Sequence, residues 1–131
     1  MSGMMDLNGL LSSMSPKLQA EEFVFCTSKD ADFDYKDLLP VATFREAEGL
    51  TLILPLASAK QAGFDCDGVY KQITLTVHSS LEAVGLTAAI AAKLTEKGIS
   101  ANVVAAYYHD HIFVQKDKAE AAMSALQELI G

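Results

Sequence analysis

From residue 69 the chain alternates with a period of two. Val69, Ile73, Leu75 and Val77 fall on one side and Tyr70, Gln72, Thr74 and Thr76 on the other, with Lys71 breaking the apolar row. Successive side chains of a strand point to opposite faces, so this segment predicts a strand with one covered face. The period then lengthens to four: Leu86, Ile90 and Leu94, with Ala83 and Ala91, form the apolar stripe of a helix. Ser79 and Glu82 have the S-x-x-E spacing of a capping box, which places the helix start there, and Gly98 after Lys97 supplies a left-handed stop. "ISANVVAAYY" and "HIFVQ" predict two further strands. Asp117 and Glu120 repeat the capping-box spacing ahead of a last helix lined by Ala119, Ala122, Met123, Leu126 and Ile130.

The first half carries related patterns. "MDLNGLLSSM" predicts a short opening helix with Asp6 as N-cap, ended by Pro16. "EEFVFCTS" alternates Phe23 and Phe25 with Val24 and Cys26 and predicts a strand, followed by the acidic loop "KDADFDYKD". "PVATFREAEGLTLILPL" has the pattern of a hairpin turning at Glu48-Gly49, with Leu50, Leu52, Leu54 and Leu56 on one face. "ASAKQAG" is a short helix closed by Gly63, and the turn-rich "FDCDG" divides the chain into units at 1–65 and 66–131. The order is αβββα, then βαββα. That predicts an α+β protein of two ferredoxin-like units with antiparallel sheets and helices packed on one side. Each unit alone has too small a core, so the two are expected to pack together.

Charge removes one class of function. Ten basic residues face seventeen acidic ones, a formal net charge of −7, and the basic residues, including the single arginine Arg45, are scattered. Phosphate-backbone binding needs a local basic patch, so nucleic acid is not an expected partner. No apolar run approaches the ~18 to 20 residues that cross a bilayer, and no signal sequence is evident. A cytoplasmic protein without a membrane partner is expected. Cys26 and Cys66 are far apart in sequence and form no CxxC pair, and Cys26 in "FVFC" reads as a small buried hydrophobe.

Candidate chemistry is sparse. Asp30, Asp32 and Asp34 have the opening spacing of a calcium loop, but Tyr35 and Val41 stand where glycine and glutamate are required. "YYHDHIFV" is the one enzyme argument: His109 and His111 face the same way in a strand and are two potential ligands for a metal-dependent enzyme. A catalytic zinc takes three protein ligands, and the third would have to be His78 or a distant carboxylate. Without it the two histidines are the polar tip of a β-hairpin. No catalytic constellation and no cofactor are expected.

The run "VHSSLEAVGLTAAIAAKLTEKGISANVVAAYYHDHIFV", together with "SPKLQAEEFVFC", resembles small stand-alone bacterial proteins built from two ACT-like units, related in architecture to cytosolic amino-acid sensors. The resemblance implies βαββαβ modules that bind an amino acid or another small effector between units. A homodimer is expected, and the binding event is expected to pass to a partner protein or to the dimer mate. A helix start welcomes a carboxylate through its free N–H groups. The implied contacts therefore centre on His78, Ser79, Ser80, Leu81 and Val84, with Gly85 and Leu86 in the first helical turns. On the strand after the helix the resemblance implies Ile99, Asn102 and Val103. A ligand-free homodimeric or partner-docking module is the alternative, in which Gly85 serves packing.

Overall fold

The computed structural model describes residues 7–76 and 85–130. Among these residues four α-helices and six strands appear in the order α1 (Leu7–Ser13), β1 (Pro16–Ser28), β2 (Ala42–Glu46), β3 (Gly49–Pro55), α2 (Leu56–Ala62), β4 (Tyr70–Leu75), α3 (Leu86–Glu96), β5 (Asn102–Ala105), β6 (Asp110–Gln115) and α4 (Ala119–Ile130). The fold is α+β, as the periodicities predict. Two compact units result: Glu21–Tyr70, and the segment up to Ala20 together with the chain from Lys71 onward. This spatial grouping follows a different line from the division expected at residue 65. The reason is β1, which extends back to Pro16 and gives its first five residues to one unit and the rest to the other.

In the unit of residues 21–70 the strands lie in the order β2–β3–β1, all antiparallel. Val24 and Cys26 of β1, Leu50, Leu52 and Leu54 of β3 and Ala59 of α2 form its buried core. The leucine row expected on one face of β3 is this core. Gly49 opens β3 at φ 151°, and a Cβ there would lie 2.4 Å from the Ser28 carbonyl oxygen, so only glycine lets the two strands close up. The opposite face carries Phe25, whose ring meets Tyr70 edge-on at 5.1 Å, and Phe44, which is 70% exposed.

In the other unit the order is β1–β4–β6–β5, and β5 and β6 are an antiparallel hairpin. Its core joins Ile73 and Leu75 of β4, Ile112 and Val114 of β6, Leu86, Ile90 and Leu94 of α3, and Ala119, Ala122, Ala125 and Leu126 of α4. The four-residue stripe of α3 is therefore buried as predicted. Its end is also as predicted: Gly98 adopts φ 73°, and Ile99 N–H returns to the Leu94 carbonyl at 2.9 Å. The second capping box is corrected. Asp117 lies inside a 3-10 turn, Lys116–Lys118, that leads into α4, and no side chain caps that turn.

Candidate functional site

The expected site begins where β4 ends. Thr76 is fixed there, its N–H and its hydroxyl both donating to the Ser15 carbonyl at 3.2 and 2.8 Å. His78, Ser79, Ser80, Leu81, Val84 and the Glu82 partner of the capping box lie outside the described residues. Gly85 is described, and it changes the helix start. It occupies the N-cap position of α3 at φ 96°, a left-handed conformation, and its carbonyl accepts the first helical bond from Ala89 at 2.9 Å. A helix cannot run unbroken from Ser79 through a left-handed residue, so Gly85 stands before the first turn rather than within it. That conformation costs an L-residue roughly 1–2 kcal/mol, which is the physical reason for glycine.

The remaining expected contacts lie at the start of α3 and just beyond its end. Leu86 points into the core at 3% exposure, Ile99 is in the same core, and Val103 packs against it half-buried. Ile99 follows the far end of α3, about 16 Å along the axis from Gly85 at the helical rise per residue. Asn102 faces the other way, its amide donating to the Phe113 carbonyl at 3.1 Å.

The "YYHDH" stretch is a hairpin, but not with a histidine tip. Ala106 N–H donates to the His109 carbonyl at 3.1 Å, which leaves Tyr107 and Tyr108 at the turn, both exposed, their rings edge-to-face at 5.0 Å. Asp110 is a strand residue paired with Ala105, not a turn former; burial pushes its carboxyl above the ordinary carboxylate range, against the pull of His111 and His109. His111 sits further in, opposite Val104. Two residues apart on an extended chain, His109, His111 and Phe113 share a face.

That face is where Gln72 and Thr74 point, and it is not the solvated face expected of β4. Gln72 is 7% exposed and Thr74 6%. Their polar groups are joined in a chain: Gln19 Nε2 donates to Thr74 Oγ1 at 3.0 Å, Thr74 Oγ1 lies 3.1 Å from His111 Nδ1, and Gln72 Nε2 lies 2.9 Å from the same nitrogen. An amide nitrogen only donates, so His111 Nδ1 must accept and carries no proton. Thr74 already accepts from Gln19 and gives its hydrogen to Nδ1. The neutral ring then holds its proton on Nε2. Burial lowers the His111 pKa below its ordinary value, His109 lowers it further, and Asp110 opposes both. His109 Nδ1 is buried without a hydrogen-bond partner.

Among the described residues no three His, Cys, Asp or Glu side chains are grouped to hold a metal ion. The sequence pattern does not single out the residues of this network, although it carries one signal: glutamine and threonine on either side of Ile73, at the centre of a strand, have to find partners if that strand is internal.

An α+β unit with three helices on one face of a four-stranded sheet is a common plan, and comparison with known proteins narrows it. Residues 2–71 match one ACT domain family and residues 68–128 match a second. The chain therefore belongs to the ACT domain proteins, with two such domains in tandem. It is similar to a Vibrio cholerae protein of unknown function, a possible transport protein, at 60% identity over 95% of this chain and 96% of that one, with a TM-score of 0.87. The fold is shared with the regulatory subunit of aspartate kinase from Thermus flavus, at 8% identity, 88% and 97% coverage and a TM-score of 0.66. It is shared too with Escherichia coli aspartokinase III in complex with aspartate and ADP, at 8% identity, 88% and 33% coverage and a TM-score of 0.64. No curated protein matches. ACT domains are typically regulatory ligand-binding modules rather than catalysts. No helix among the described residues is long and apolar enough to cross a membrane.

Proposed function

We propose that this protein is a regulatory module that binds a free amino acid and passes the binding event to a partner or to a second copy of itself. The observation that carries the reading is the pair of ACT domain matches, which together span nearly the whole chain. The matches meet close to the division at 1–65 and 66–131, which supports reading the chain as two sequential units. The solved structure of E. coli aspartokinase III holds aspartate, which supports an amino acid as the class of effector. The expected contacts from His78 to Leu86 remain part of this reading, and Gly85 brings no side chain to the N-terminus of the eleven-residue α3.

Binding acts by favouring one arrangement of the protein over another, which requires a difference in affinity between the two. A thermal-shift screen of the twenty amino acids, each at millimolar concentration, tests it. A ligand at a hundred times its Kd adds ~2.7 kcal/mol of stability, a clear rise in Tm. A flat screen refutes the amino-acid reading.

A further inference from the structure

The network on the sheet face of β1, β4 and β6 has free valences of a definite kind. His111 gives Nδ1 to Gln72 and Thr74, so its Nε2–H is a donor without a partner in the network. Gln19 and Gln72 use their amide nitrogens within the network, which leaves both amide oxygens as acceptors. The groups stand on three adjacent strands at about 4.8 Å spacing, so they span roughly 10 Å, the scale of one small metabolite. Gln72 and Thr74 are more than nine-tenths buried, and the bond each makes to His111 Nδ1 fixes the orientation of the ring before any ligand arrives. The buried Nδ1 of His109, without a hydrogen-bond partner, is a further polar atom close to this network.

We infer that this sheet face is the amino-acid site: His111 Nε2–H takes the carboxylate, the amide oxygens of Gln19 and Gln72 take the ammonium group, and the preferred ligand has an uncharged side chain. The inference rests on the proposed function and moves its ligand from the helix start to the opposite face of the sheet. Selectivity follows from charge. The network contributes no formal charge, which suits a zwitterion whose charges cancel, whereas a third charge on the ligand is desolvated without a counter-ion there. The net charge of −7 adds to the disfavour toward aspartate and glutamate.

Imidazole nitrogen NMR on the whole protein tests this with the amino acids themselves as probes. Free protein should show His111 as the Nε2–H tautomer, and titration with the best neutral amino acid of the thermal-shift screen should shift its Nε2 resonance. Gln19→Met, which leaves the His111 bonds to Gln72 and Thr74 in place, should weaken binding at least tenfold, and so should His111→Phe. Aspartate and lysine should bind at least tenfold more weakly than the neutral ligand. If an amino acid binds while His111 Nε2 stays unmoved and Gln19→Met keeps its Kd, the site is elsewhere and only the placement fails. If none binds, the placement falls with the function itself.

Discussion

At His111 a proton on Nδ1 would face two donors, and this gives the protein a pH dependence. The folded state holds the His111 pKa below its ordinary 6.5 chiefly by burial. An unfolded chain then binds the proton more readily, so the stability contributed by neutral His111 is present above pH 6.5 and is lost as pH falls toward the depressed value. Tm should drop between pH 7 and 5.5, and the drop should be smaller in His111→Phe; equal slopes in the two proteins would contradict the network. Asp110 has the opposite sign, since its raised pKa favours the folded state as pH falls. Gly85 makes a second residue-scale prediction: Gly85→Ala should cost about 1–2 kcal/mol in urea denaturation, because φ 96° is strained for any L side chain. The sequence shows the glycine but not its role, since apolar spacings of three and four residues through Ala83, Leu86 and Ile90 read as one helix whether or not a left-handed residue interrupts it.

The elements were legible where burial follows period. Leu86, Ile90 and Leu94 and the leucines of β3 were identifiable as core because one face of each element is covered and water is excluded from it. Leu94→Ala should cost about 2–5 kcal/mol, read from the shift of the denaturation midpoint. What escaped was strand structure set by partners. The first residues of β1, "PKLQA", have no clean alternation, and they become strand because β4 lies beside them. Two glycines separate turn geometry from close packing. Gly63→Ala meets open space and should cost only the left-handed strain of φ 81°, about 1–2 kcal/mol. Gly49→Ala collides with the Ser28 carbonyl, which cannot move without breaking β1 from β3, so its loss of stability should be distinctly larger in the same assay.

For the whole molecule, the tandem ACT assignment was readable from sequence because it depends on a long run of residues rather than on any one side chain. The spatial grouping was not, since nothing local in "SPKLQAEEFVFC" says that one strand serves two cores. ACT domains often dimerise, and Phe44, Val41 and Leu39 are exposed apolar side chains in the 21–70 unit. Light scattering checks the homodimer expected from the sequence resemblance, which a monomer at micromolar concentration would oppose, and Phe44→Asp checks whether the exposed Phe44 takes part in it. The shared strand has a consequence in time. Residues 21–70 are one uninterrupted stretch, and the Phe25–Tyr70 ring contact brings its first strand to its last residue. Domains fold as units during synthesis, N-terminal first. Here β1, β2 and β3 are all made before β4, whereas Pro16–Ala20 must wait for β4 to have a partner strand on that side. Pro16–Ala20 are therefore among the last described residues to find their place, since Met14 and Leu18 have no surface to bury against until α3 and α4 are made.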